Sequence, residues 1–148
     1  MGDALPVVGL GGGRVVLSVG AGATHSCALL EGGSVRCWGD GTAGLLGLGD
    51  TVTRGDGAGE MGNAWPAVSL GSGRSATAIA VGDLHSCALL DDGTVKCWGD
   101  NQFGQLGVGD TADRGDNAGE MGDSLLAVPL GTGRTATAIS VGYGISCA

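Results

Sequence analysis

The stretch "HSCALLDDGTVKCWGD", His85–Asp100, decides how this chain folds. Two β-prone runs flank Asp91-Asp92-Gly93, a combination that closes a hairpin. Cys87 and Cys97 stand on either side of the turn. With a two-residue Asp-Gly turn, Leu90 pairs with Val95 and Cys97 faces Ala88. With a three-residue loop closed by a glycine bulge, Leu90 pairs with Thr94 and Cys87 faces Cys97. Both turns suit the residues. A near copy, "HSCALLEGGSVRCWGD" at His25–Asp40, poses the same choice for Cys27 and Cys37.

The copy is part of a longer self-similarity. Shifted by 60 positions, the sequence aligns with itself without a gap. Leu10, Leu70 and Leu130 coincide, as do Arg14, Arg74 and Arg134, and Cys27, Cys87 and Cys147. Such a period marks a repeat architecture. The repeats divide the single domain 1–148 into 1–60, 61–120 and a partial third copy, 121–148. Each full copy reads as four short strands. In the second these are Ala67–Leu70, Ala76–Val81, "HSCALL" and "TVKCWG", followed by a long loop rich in Gly and Asp. No segment carries a capped helical stripe. The expected fold is all-β, with propeller blades of four antiparallel strands in an incomplete ring.

Composition narrows the functional classes. The net charge is −8, with seven Lys and Arg against fifteen Asp and Glu. That argues against nucleic acid or an anionic membrane as partner, since both require a basic surface. No apolar run approaches the ~18 residues of a membrane span, and "MGDALPVVGL" has no charged leader pattern. Glycine is the extreme feature, at 33 of 148 residues, far above the average of roughly 7%. Spread among β-branched patches, it reads as turns.

At "HSCALLDDGTVKCWGDNQFGQLGVGD" the combination of His-Ser, Ala-Leu, Asp-Gly, Trp-Gly and then Gly104-Gln105-Leu106-Gly107 resembles the repeats of the regulator of chromosome condensation family. The resemblance runs through both full copies and into the third. It implies a seven-bladed β-propeller, which with repeats this long needs roughly 420 residues, so the chain reads as a fragment of a longer propeller. The first copy departs from the motif with Gly44-Leu45-Leu46-Gly47, and the third places Ile145 where the others have His. Trp38, Gly39, Trp98, Gly99, Gly104, Gln105, Leu106 and Gly107 are expected to act structurally. Large indoles fill gaps between blades, and glycines permit chain reversal.

Four readings compete for the cysteines. Cross-strand disulfides Cys27–Cys37 and Cys87–Cys97 are the expected state, and they imply an oxidising, secreted or extracellular setting. Buried free thiols are the second reading. A metal site of His85, Cys87 and Cys97 offers only three ligands, and Ile145 breaks it in the third copy. A nucleophilic thiol lacks a visible base. Cys147 is unpaired, because its partner would fall near position 157.

The loops hold the candidate binding residues Asp50, Arg54, Asp56 and Glu60, and in the second copy Asp110, Asp113, Arg114, Asp116 and Glu120. Their spacing matches no EF-hand. "RGD" recurs at Arg54–Asp56 and Arg114–Asp116 because the repeat recurs, and an ion pair or capped turn explains it better than cell adhesion. No catalytic constellation, cofactor or metal is expected. The expected function is a non-catalytic scaffold that binds protein through these loops, with further repeats or self-association completing the ring. The resemblance also implies an alternative role, nucleotide exchange on a Ran-type small GTPase.

Overall fold

A computed structural model describes residues 7–148 of the chain. Residues 1–6, and with them the start of the first repeat, lie outside the description. In the hairpin the three-residue loop prevails. Leu90 N–H donates to Thr94 C=O at 2.8 Å, and Gly93 N–H to Leu90 C=O at 3.0 Å. Gly93 occupies φ +78°, a conformation that costs a side chain but not glycine. Val95 therefore pairs with Leu89, and Cys97 with Cys87.

This hairpin is the inner part of a three-stranded antiparallel sheet, built twice. The first sheet holds β1 (Val16–Ala21), β2 (His25–Leu30) and β3 (Val35–Gly39). The second holds β4 (Ala76–Val81), β5 (His85–Leu90) and β6 (Val95–Gly99). The third repeat contributes β7 (Ser140–Val141) paired with β8 (Ser146–Cys147). The fourth expected strand is reduced to one contact per blade. Val68 N–H reaches Val35 C=O, and Val128 N–H reaches Val95 C=O, each at 2.8 Å. Proline explains the shortness. Pro66 directly precedes the first of these segments and Pro129 interrupts the second, and a proline has no N–H for a ladder. The outer segment of each blade thus comes from the following sequence repeat.

The blades pack face to face, so the middle strands are buried on both sides and read as continuous apolar runs rather than alternating ones. Cys27, Leu29, Val35 and Cys37 of the first blade meet Ala88, Leu90 and Trp98 of the second. The second seam repeats the pattern with Cys87, Leu89, Val95, Cys97 and Leu106 against Ile139 and Val141. Trp98 is fully buried in the first seam and donates its indole N–H to Leu45 C=O at 3.2 Å. Gly47 makes room for it: a Cβ there would lie 2.8 Å from the indole nitrogen.

Trp98 therefore separates packing from hydrogen bonding. Trp98→Phe should lower unfolding free energy by about 1–3 kcal/mol, because it leaves the buried Leu45 C=O without its donor and removes part of the ring's volume. Trp98→Ala should lower it by about 3–5 kcal/mol through the cavity it leaves. Urea denaturation followed by circular dichroism checks both.

Candidate functional site

Two regions concentrate the chemically capable side chains, the seams between blades and the loop that runs along one rim. In the seams, the hairpin register places each cysteine pair. Leu30 N–H bonds Ser34 C=O, so alternation puts Cys27 and Cys37 at a non-hydrogen-bonded position, where strands approach closest. Their Cα atoms are 4.0 Å apart, those of Cys87 and Cys97 are 4.1 Å apart, and each pair is joined as a disulfide. Cys147 is free and exposed.

Each His-Ser dipeptide works across a seam. His25 Nε2 lies 2.9 Å from Ser86 Oγ of the next blade, and His85 Nε2 lies 2.9 Å from Ser146 Oγ. Ser146 Oγ–H donates to Gln105 C=O at 2.7 Å. A hydroxyl has one proton, so Nε2–H of His85 must be the donor to Ser146. Nδ1 then carries only a lone pair, in keeping with its lack of a partner in both histidines. A histidine on a serine can also be an activated nucleophile. Here Ser86 is 1% exposed, no carboxylate orients Nδ1, and in the second pair Nε2 already holds a proton. The pairs fasten blades.

Burial, and next the nearby His85, push His25 down to about 4, against the opposing pull of Asp40. Burial also lowers His85, opposed by Asp100 and Asp83.

The rim loop spends its charges internally. Arg54 pairs with Asp50 at 2.8 Å and Arg114 with Asp110 at 2.6 Å. The backbones of these arginines bridge to Gly39 and Gly99 at the blade edge. Glu60 accepts N–H bonds from Gly55 and Gly57, which hold its carboxyl below the usual range. Glu120 does the same for Gly115 and Asn117. Burial raises the carboxyl of Asp116, and the neighbouring carboxyl of Glu120 raises it further. Asp56 is exposed, and Asp113 caps Asn101 N–H at 2.8 Å. In both copies the Arg-Gly-Asp arginine is thus tied to an aspartate four residues earlier. Gln105 is buried and bonds Asp100 at 2.8 Å. Leu106 lies fully buried, Trp38 meets Trp65 edge-on at 5.5 Å, and the glycines at 39, 99, 104 and 107 all take positive φ. Among the described residues no His, Cys, Asp and Glu cluster could hold a metal ion.

Sequence reasoning passed over two supports of this rim. Lys96 Nζ donates to Gly122 C=O at 2.7 Å and Leu70 C=O at 3.0 Å, and Arg36 donates to Gly62 C=O at 2.8 Å. Asn101, fully buried, binds the carbonyls of Asp110 and Ala112. The signal for the first was a basic residue between Val and Cys in both copies. For Asn101 there was none, since the first copy has Gly41.

Sheets stacked through disulfide-stapled hairpins, with loops gathered on one rim, define an incomplete β-propeller. The Regulator of chromosome condensation (RCC1) repeat matches residues 16–44 and 76–105. The chain thus carries two copies of this repeat. The Ultraviolet-B receptor UVR8 of Arabidopsis thaliana is 38% identical over 102 residues, covering 68% of this chain and 21% of the receptor. The human E3 ubiquitin-protein ligase HERC2 is 39% identical over 102 residues, covering 67% of this chain and 2% of the ligase. The chain thus spans a small part of each relative. The solved structure of Prp20p from Saccharomyces cerevisiae matches 94% of this chain and 32% of its own, with TM-score 0.64 and 19% identity, a likeness of fold.

Two measurements follow. Mass spectrometry of the unreduced protein, digested between the cysteines, should link Cys27 to Cys37 and Cys87 to Cys97 and leave Cys147 open to alkylation. Stability should also fall on acidification. The unfolded His25 binds its proton near 6.5 and the folded one near 4, so its contribution is complete above the first value. It is lost on the way to the second, by up to ~3 kcal/mol. Urea midpoints across that window should drop for the natural chain and drop less for His25→Gln.

Proposed function

We propose that the chain is a non-catalytic scaffold that binds a basic protein surface along its rim loop. The carrying observation is the loop's internal economy. Its arginines, glutamates and asparagines hold its own shape, so the loop is presented ready-formed, and binding then costs little ordering entropy. Its uncommitted charge is acidic, as at Asp56, and the chain as a whole carries −8. Such a field favours a basic partner through faster encounter and rejection of acidic competitors. The absence of an enzymatic role is supported by the histidines, whose reactive nitrogens are committed across seams. The stapled hairpins support an oxidising compartment, where such bonds persist.

Prp20p, whose fold this chain shares in part, binds Gsp1p and histones. That suggests two probes, core histones for a basic surface and a Ran-type GTPase for the alternative exchange role. In biolayer interferometry the chain should bind the histones with an affinity that weakens steeply as salt rises. Ala58→Lys with Ala118→Lys, both at exposed loop positions, should weaken it about tenfold or more, since opposed charges become like ones. Salt-independent binding, or binding untouched by the two lysines, would count against the rim. Accelerated nucleotide release from the GTPase would replace this reading with the exchange role.

A further inference from the structure

The two blades keep the same pair of cations on their outer edge and neutralise it differently. In the second blade, Lys96 and Arg74 lie among three carboxylates. Asp123 accepts Ser72 N–H through Oδ1 at 2.8 Å and Ser72 Oγ–H through Oδ2 at 2.6 Å. Asp123 Oδ1 and Lys96 Nζ both face Gly71, 3.0 and 3.4 Å from where a Cβ there would stand. Arg74 pairs with Asp91 at 3.5 Å and with Asp92 at 3.0 Å. Sixty positions earlier, Arg36 and Arg14 replace these cations, but Asn63 stands for Asp123 and Gly32 for Asp92. Of the three acids only Glu31 is kept, and among the described residues neither arginine forms an ion pair.

One of the two unpaired arginines is buried. Arg36 is 4% exposed, and the buried ring of Trp65 covers one side of its guanidinium, with 5.8 Å from Cζ to the ring centre. One N–H reaches Gly62 C=O at 2.8 Å, whereas Nε is buried without an acceptor. Lys96 instead bonds two carbonyls. A buried donor left unpaired costs more than a hydrogen bond is worth, and more again on a cation. Burial, and next the like charge of Arg14, push Arg36 below the usual arginine range. Arg14, Asn63 and Gly12 are exposed. Arg14 Nε and Asn63 Oδ1 lie 3.2 and 3.3 Å from where a Cβ on Gly11 would stand. Asn63 Oδ1 caps Gly12 N–H at 2.8 Å, as Asp123 Oδ1 caps Ser72 N–H. Asn63 Nδ2 therefore presents donors where Asp123 has its second carboxylate oxygen.

We propose that this edge of the first blade binds a carboxylate, which Arg14 and Asn63 Nδ2 contact at the surface and which offsets the buried charge of Arg36. The second blade shows the chemistry that suits the seat, because there the chain supplies the carboxylate itself through Asp123. A planar carboxylate also matches the fork of a guanidinium. The chain's charge of −8 repels anions at a distance. What holds one here is local, two guanidinium groups and an amide with no acidic partner among them. A free organic acid and an acidic side chain of a partner offer the same group. None of these residues belongs to the charged set of the rim, so the site stands apart from the rim's binding role.

The test titrates the nitrogen-15-labelled chain with sodium acetate, exchanged against sodium chloride at constant ionic strength, and then with a peptide of consecutive aspartates. In NMR spectra the Gly12 amide, the Trp65 indole and the Arg36 Nε–H report on the site, and the Ser72 amide reports on the second blade. Acetate should move the first three saturably, with a midpoint on the order of 1–10 mM, and leave Ser72 in place. A peptide midpoint at least tenfold lower would identify a protein as the source of the carboxylate. Equal midpoints per carboxylate would identify a free acid. Asn63→Asp supplies the missing group from within and should raise the midpoint about tenfold or more, and Arg14→Gln should do the same. Both positions are exposed, and circular dichroism should show both variants folded. Shifts that grow without saturating would overturn the proposal. So would an equal response from Ser72, or undiminished binding by Asn63→Asp.

Discussion

A glycine at the corner of a three-residue loop sets the register of each central hairpin, and the rest of the architecture depends on that register. One residue more or less in the loop would exchange the faces of the strand beyond it. Cys97 would leave Cys87, and Trp98 would turn away from the first blade toward the second seam. With Gly93 in its left-handed conformation, the disulfide lands on one face of the hairpin and the indole on the other. Each blade therefore offers a stapled apolar face forward and a tryptophan backward, and stacking brings one against the other.

The seams combine three kinds of contact of different reach. Apolar packing excludes water and supplies most of the favourable free energy, but it is not directional. The indole N–H to Leu45 C=O and the histidine to serine bonds are directional and fix how one blade sits on the next. Both nitrogens are buried, so misplacing the blade would leave them unsatisfied, at a cost larger than the bond's own net worth. Lys96 ties the second sheet to the end of its rim loop through Gly122 C=O and to the outer segment of the first blade through Leu70 C=O. The loop's position is thereby coupled to the blade beneath it.

Much of this was legible in the residues. The 60-residue period, the all-β character and the hairpins follow from spacing and turn chemistry, which are local. The choice between two turns was not, because Asp-Gly and Asp-Asp-Gly are both good closures. What separates them is the burial of Cys97 and Trp98 against other blades, a tertiary matter. The outer strands were overestimated for a local reason: Ala67–Leu70 has β propensity, but Pro66 and Gly71 leave it too short for a ladder. The His-Ser pairs were visible as a motif, yet their role was not. Adjacent residues on a strand point to opposite faces, so the histidine and serine of one dipeptide serve different seams. The rim's acidic residues were found as a group, whereas their assignment to internal bonds required the arginine and glutamate geometry.

The substitution of Ile145 for histidine gives the stack a direction. Each blade receives a bond through its serine and passes one forward through its histidine. The third repeat receives from His85 through Ser146 but has only an alkyl group to offer onward. Any blade placed beyond it would be held by apolar contact without an imidazole in the joint. Such a joint would be indifferent to acid where the two before it are not. A ring built from both kinds would open first at its histidine joints as the surroundings acidify.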